Sequence, residues 1–311
     1  MGKSRARHIR WFTPRADPLA VAYMFKEAAV GPLRATPPPV LYHYTNWSAA
    51  EGILRSKEFW ATAHNSTNDD AELQSADQII MEVAGRLRSG ARGSMVTVLE
   101  LFLEEYSEAA VAKIMTVYLA SFSAARDARE QWLKYADEGR GICLGLRVVT
   151  EKVPTSPHLG SGLLKVDYSE ASWRTTIDEH FRKVASLIDE VKLKRIDLHM
   201  PLSALFQIAG FLSMSAKAEK WAPEREYRHV TILHPDARLK PRERVSDGKA
   251  ILYLPVVLRA PGKRIALAEV IIGPNQNVEE ASLRITKLLA EASYKVGDIE
   301  YPEITVSSIR L

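Results

Sequence analysis

Three consecutive prolines, Pro37-Pro38-Pro39, constrain this chain more than any other local feature. Proline fixes φ, lacks an N–H and pushes the residue before it toward extended backbone. The run therefore belongs neither in a helix interior nor in a central strand. It marks a boundary: residues 1–39 read as an arm, and a folded domain begins at Val40. Leu41-Tyr42-His43-Tyr44-Thr45 follows as a short aromatic strand, then a helical segment Asn46–Ser56, then a second aromatic strand, Glu58-Phe59-Trp60-Ala61-Thr62. Alternate residues of a strand share a face, so the His43 imidazole and a neighbouring hydroxyl can be aimed at one cleft.

At 311 residues, with 46% hydrophobic and 26% charged residues, the chain can bury a large core without staples. Residues 40–311 are expected to form a single domain. Cys143 is the one cysteine, which excludes an intramolecular disulfide and any multi-cysteine zinc or iron–sulfur site and suits a reducing cytoplasm. No apolar run reaches membrane-spanning length, and the N-terminus lacks a hydrophobic signal region, so no membrane is expected as a partner. Gly2-Lys3-Ser4 mimics the end of a P-loop but has no strand and glycine loop before it.

The net charge of +4 is unevenly placed. Lys3, Arg5, Arg7, Arg10, Arg15, Lys26 and Arg34 stand against only Asp17 and Glu27, an excess of five in the first 34 residues. Such an arm can engage nucleic acid or an acidic partner; a solvated extension is the alternative. A short helix is expected at Asp17–Ala29.

Along the domain, the loop Asn65–Asp70 leads to a capping pair, Asp69 with Glu72, that predicts a helix toward Arg88. A second helix is expected over Val96–Ala112 and a buried strand over Ile114–Ser123. Asp127 with Glu130 repeats the capping pattern and opens a helix through Tyr135. Gly139-Arg140-Gly141 then turns into a strand over Ile142–Val148, and another is expected over Leu163–Tyr168. Ile177, Phe181, Val184, Ile188 and Val191 alternate spacings of four and three, the mark of one buried helical face over Thr176–His199. Pro201 interrupts it, and a more apolar helix follows over Leu202–Lys217, so that about 176–217 reads as a helical insertion. Strands are expected at Tyr227–Leu233, Ala250–Val257, Leu267–Ile272 and Thr305–Arg310, with a helix over Val278–Ala292. The irregular alternation predicts an α+β fold rather than a doubly wound sheet.

Besides His43, the sharpest chemical candidate is Trp221-Ala222-Pro223-Glu224-Arg225-Glu226-Tyr227-Arg228. Glu224 and Glu226 alternate, so both can enter a cleft, and their repulsion is expected to raise the pKa of one. Arg228 falls on the same face and can neutralise one of them. An exposed strand edge with a Glu–Arg pair of little energetic worth explains the same spacing. Ser121 and Ser123 share one face of their strand and Phe122 takes the other; the hydroxyls suit either a ligand or the next turn. Trp132 and Tyr135 are helix neighbours and read as core or as a ligand platform, while Asn68 and Glu72 read as capping or pocket residues. The remaining histidines show no metal-binding spacing, so no metal is expected. Cys143 reads as an inert buried thiol. No Gly-x-Ser-x-Gly elbow and no Gly-x-Gly-x-x-Gly loop occurs.

Taken in order, these pieces resemble the bacterial domain of unknown function (DUF) 2971 family. The carriers are Leu41–Thr45, Phe59–Thr62, Asn68–Glu72, Ala120–Ser123, Trp132 with Tyr135-Ala136, Gly139–Gly141, Trp221–Arg228 and Leu267–Pro274. The His-Tyr-Thr strand and the Glu-x-Glu strand in turn resemble the ADP-ribosyltransferase superfamily. That resemblance implies mixed or antiparallel central sheets of ADP-ribosyltransferase-like type, NAD as co-substrate, and transfer of ADP-ribose to nucleic acid or protein. It casts the chain as a toxin or anti-phage effector with an antitoxin or defence-system partner. By the resemblance, His43 holds the nicotinamide ribose, Ser121 and Ser123 brace the site, Glu226 drives transfer and Glu224 orients the acceptor. Tyr44 or Trp60 stacks on nicotinamide, and Thr45 and Arg228 complete the cofactor contacts. The expected cleft has His43 on one wall and Glu226 on the other. A non-catalytic nucleotide- or nucleic-acid-binding module is the alternative, and a nuclease using His43 and the glutamates a second one.

Overall fold

The computed structural model describes residues 37–64, 76–106, 116–147, 159–191, 198–233, 240–246, 248–257, 259–260, 264–265, 267–292, 294 and 302–311. The basic arm with its expected helix at Asp17–Ala29, the Asn65–Asp70 loop, and Asn68, Asp69 and Glu72 lie outside the described residues. The chain divides into two compact units, one helical and one built on a sheet.

The helical unit contains α2 (Asp77–Gly90), α3 (Ser94–Glu105), α5 (Glu170–Val191) and, up to Ser213, α6 (His199–Ser215). Each buries apolar residues: Ile79, Ile80, Val83 and Ala84 on α2; Met95, Val98, Leu99 and Phe102 on α3; Trp173, Ile177, Phe181, Val184 and Ile188 on α5; Ala204, Leu205, Ile208, Ala209 and Leu212 on α6. Phe102 ties them, meeting Tyr106 stacked at 4.9 Å and Phe181 edge-on at 5.4 Å. The expected segment 176–217 is thus two helices, grouped with α2 and α3 as far as Ser213, while Met214–Lys217 belong to the sheet unit. α5 starts six residues before Thr176 and is described to Val191. Pro201 lies in the first turn of α6, where a missing N–H costs nothing, so it opens a helix rather than interrupting one. α2 has Ala76 as N-cap with no side-chain cap, and α3 is described to Glu105, not Ala112.

The sheet unit holds β1 (Val40–Thr45), α1 (Trp47–Ser56), β2 (Glu58–Ala63), β3 (Thr116–Ser123), α4 (Arg129–Tyr135), β4 (Ile142–Arg147) and β5 (Leu159–Lys165). β6 (Glu226–Leu233), β7 (Arg242–Ser246), β8 (Lys249–Val257), the short pair β9 (Arg259–Ala260) and β10 (Arg264–Ile265), β11 (Leu267–Ile272), α7 (Val278–Glu291) and β12 (Glu303–Val306) complete it. The order is β12-β11-β4-β1-β3-β2-β8-β7, with β6 paired to β3 and β5 to β6. Only β11–β12 is parallel among these pairs. The architecture is α+β with a mixed, mostly antiparallel open sheet.

Several bounds differ from the expectation. β5 runs earlier than Leu163–Tyr168, and β12 is Glu303–Val306 rather than Thr305–Arg310. β7, Arg-Glu-Arg-Val-Ser, carried no apolar strand pattern, as befits a charged edge. Asp127 does not cap α4, whose N-cap is Ala128 without a side-chain bond. Instead Asp127 accepts from the Trp132 indole (2.7 Å), the Ser307 hydroxyl (2.7 Å) and the Ser308 N–H (2.8 Å), pinning the C-terminal segment.

β3 is the branch point of the sheet. One edge pairs with β6 from Thr116↔Leu233 to Ser123↔Glu226. Its other edge is shared: β2 takes Tyr118 and Leu119, and β1 takes Ser123. Buried clusters cover both faces, with Ala61, Ala63, Tyr118, Ala120, Leu233 and Leu254 forming one of them. Under α1 and α7 lie Leu54, Phe59, Ile142, Leu144, Val270, Ile272, Ile285 and Leu289. Across the sheet, beside α4, lie Tyr42, Tyr44, Trp132, Cys143 and Ile271. The turn between α4 and β4 presses on β1: a Cβ at Gly141 would collide with the Thr45 carbonyl oxygen, so only glycine fits.

Candidate functional site

The register decides which candidates meet. Ser123 stands opposite Glu226, Ser121 opposite Arg228, and Tyr42 opposite Ser123, so these five share one face of the sheet. Leu119 opposite Thr62 puts Thr62, and therefore Trp60, on that face too. Phe122 and Tyr227 take the other face, and His43 goes with them: its ring meets Phe122 at 5.9 Å and Phe59 edge-on at 4.9 Å.

His43 and Glu226 therefore lie on opposite faces, and the expected cleft between them does not form. The physical reason is register: Tyr42 stands opposite Ser123, so His43, one residue on, alternates to the other face, while the branch in β3 decides what it bonds. Ala124 N–H donates to the Arg225 carbonyl, so even-numbered residues of β3 bond β6 and odd-numbered ones face the shared edge. The Ser121 carbonyl thus opens into the gap between β1 and β2, where His43 Nδ1 meets it at 3.1 Å. A carbonyl only accepts, so Nδ1 carries the proton. Burial holds the His43 pKa below the usual histidine value, against the opposing pull of that bond. Thr45 is buried on the same side as His43.

Tyr44 is not free to stack on a ligand. Its hydroxyl donates to the Ala125 carbonyl (2.7 Å) and accepts from Ala128 N–H (3.1 Å), and its ring packs edge-on against Trp132 at 5.0 Å. Trp132 is fully buried.

Around Glu226 the structure builds a buried ionic network. Arg228 Nε donates to Glu226 Oε1 at 2.9 Å and Nη2 to Oε2 at 3.2 Å, while Nη1 donates to the Met214 carbonyl at 2.8 Å. Lys217 Nζ bridges the pair, donating to Glu226 Oε2 (2.9 Å) and Glu224 Oε2 (2.7 Å). Lys134 Nζ and the Tyr135 hydroxyl donate to Glu224 Oε1 at 2.8 and 2.6 Å. The backbone joins in: Ser123 Oγ donates to the Glu224 carbonyl (2.7 Å) and Glu226 N–H to the Tyr168 hydroxyl (2.9 Å).

The two glutamates do not meet as alternate positions of one strand. Glu224 ends the 3-10 turn Glu219–Glu224, and Arg225, at φ 44 in the left-handed region, swings the chain into β6. Nor does repulsion raise either carboxyl. Burial pushes Glu226 up, but Arg228, Lys217 and the Ser121 hydroxyl outweigh it and bring it down to about 2. For Glu224, burial is likewise outweighed by the bonds from Lys134, Lys217 and Tyr135, which lower it. Both carboxylates are ionised at neutral pH, and both oxygens of each are engaged.

Sequence reasoning missed Lys217, Lys134 and Tyr168. Lys217 had one faint signal, a lysine closing an apolar helical run. Trp221 gathers cations: Lys134 Nζ lies 3.6 Å from its ring centre and Lys220 Nζ 5.1 Å. Lys134 and Tyr135 keep 42% and 40% exposure, so the network has a wet cationic and aromatic rim over a dry interior. Among the described residues, no three of His, Cys, Asp and Glu gather as a group able to hold a metal, and no helix is long and apolar enough to cross a membrane. Compared with protein-family models, curated proteins and solved structures, the chain matches none.

Proposed function

We propose that this chain is a nucleotide-binding protein of ADP-ribosyltransferase-like fold, acting in the cytoplasm and taking NAD at the rim of the Glu224–Glu226 network. One observation carries the reading: the charge balance there favours an anion. Lys134, Lys217, Lys220, Arg225 and Arg228 stand against Glu219, Glu224 and Glu226, and the three lysines gather at an indole beside an exposed phenol. A dinucleotide offers phosphates to the lysines and planar bases to Trp221 and Tyr135. Calorimetry with NAD and ADP-ribose tests this. Wild type is expected to bind and Lys134→Ala to bind about tenfold more weakly, the size of one charge-assisted bond. Absence of heat with both ligands ends the reading.

Transfer of ADP-ribose is the second reading, favoured by the Ser121 hydroxyl and the ionised Glu226 carboxylate on one face. A carboxylate can stabilise the oxocarbenium charge that builds as the nicotinamide bond breaks. It would require Glu226 to exchange Lys217 or Arg228 for substrate. NAD consumption by wild type against Glu226→Gln decides it: equal inertness with binding retained leaves the non-catalytic module.

A further inference from the structure

We propose a second binding site, for single-stranded nucleic acid, on the β7–β8–β2 end of the same sheet face, with Trp60 as its stacking platform. It rests on residues the nucleotide site does not use and stands independently of that reading.

Trp60 is 40% exposed in mid-strand. Across the β2–β8 pair, Thr62 faces Tyr253 and Trp60 faces Pro255, which makes Trp60 and Tyr253 diagonal neighbours on one face. Their rings lie 4.7 Å apart at a tilt of 31°, so a buried phenol backs an exposed indole. Arg242 stands opposite Tyr253 and Arg244 opposite Ile251, placing both guanidiniums on that face. Arg242 pairs with Glu58 at 3.2 Å. Arg244 lies 5.3 Å from the Trp60 ring centre, and its Nε is buried with no hydrogen-bond partner among the described residues. The half-buried Arg244 side chain beside an exposed indole thus holds a donor without an acceptor among the described residues, and a phosphate or base edge supplies one once the side chain turns outward.

Charge names the ligand class. Residues 238–264 hold Arg238, Lys240, Arg242, Arg244, Lys249, Arg259, Lys263 and Arg264 against Glu243 and Asp247, an excess of six in a chain whose total is +4. The near-neutral average beyond the arm conceals this second basic segment. Among the described residues, Arg242, Arg244 and Lys249 share the face that exposes Trp60, and an indole beside such cations suits a backbone of phosphates with unstacked bases, which a duplex hides. An acidic protein would use the charge but leave the indole idle.

The experiment is fluorescence anisotropy of a labelled twelve-nucleotide oligo-dT and oligo-U with the full chain, at low and at moderate salt. Binding is expected to weaken steeply with salt. Trp60→Ala is expected to lose about 10- to 100-fold in affinity, the worth of one stacked base, and Trp60→Phe to retain most of it. Arg244→Gln, which removes no ion pair, should lose about tenfold. It should leave NAD binding unchanged, so the two proposals fail separately. Absence of oligonucleotide binding overturns the platform. So does binding that ignores Trp60→Ala and Arg244→Gln together, which assigns the affinity to the arm, and so does equal displacement by heparin with no Trp60 effect. Should Trp60→Ala fail to fold, Arg244→Gln and Trp60→Phe decide between these outcomes by the same readout.

Discussion

Lys217 shows how one side chain sets the character of a site. It is buried and spans both carboxylates, so it turns two mutually repelling acids into a neutralised lattice with Arg228 and Lys134. Removing one member of such a buried lattice strands charge that water cannot reach. Lys217→Met is therefore expected to cost on the order of 3–5 kcal/mol by urea denaturation at pH 7. A loss under about 1 kcal/mol would mean that water already screens the pair. At this scale the sequence was half legible. That Glu226 and Arg228 share a face follows from strand period two and needed no fold. The direction of the glutamates' pKa did not follow, because Lys134 and Lys217 hold Glu224 down, Lys217 joins Arg228 at Glu226, and both lysines lie outside β6.

Elements explain His43. β3 exchanges β2 for β1 along one edge, and such a branch leaves a carbonyl without a strand partner. His43 answers it at Ser121. His43→Ala should cost about 1 kcal/mol, the worth of one hydrogen bond, plus lost packing on Phe59. His43→Asn, which keeps a donor, should recover part of it in thermal melts, whereas equal loss in both would assign the role to packing alone. α1 offers a simpler case. Asn46 accepts from Ala49 N–H at 2.9 Å, and Lys57 closes the helix at φ 57. Asn46→Ala should lower stability by about 1 kcal/mol, measured by chemical denaturation. α1, β2, β11 and α7 were readable almost to the residue because apolar spacing and flanking turn residues agree there. β7 was not, since an edge strand is specified by its partner and not by its own apolar pattern.

For the whole molecule, the titrating groups point the same way on each side of neutrality. His43, His229, Glu224 and Glu226 all have lowered pKa values, with His229 brought to about 4 by burial and Glu226 to about 2. A group lowered on folding binds its proton more readily when unfolded. Its contribution is whole above the unfolded value and is lost as pH falls. Tyr42 and Tyr168 are raised, each to about 12, chiefly by burial, so their contribution is whole below pH 10 and is lost above it. Stability should therefore form a plateau between about pH 6.5 and 10. It should fall first as the histidines protonate below 6.5 and again below about 4.5 as the glutamates do. Melting temperatures across pH check this: His229→Gln should flatten the 6.5-to-4 limb and Glu226→Gln the limb below 4.5. A limb unchanged by its variant would remove that group from the account. The α+β class, most strand and helix positions and the sharing of faces by residues such as Glu226 and Arg228 were determined by the sequence, because backbone periodicity and turn chemistry are local. Which strands lie side by side, which face each strand turns to its neighbours, and which distant lysine meets which glutamate were decided only by the tertiary structure. Those choices are made by packing across long loops, where the free energy of a contact depends on a partner that no local pattern names.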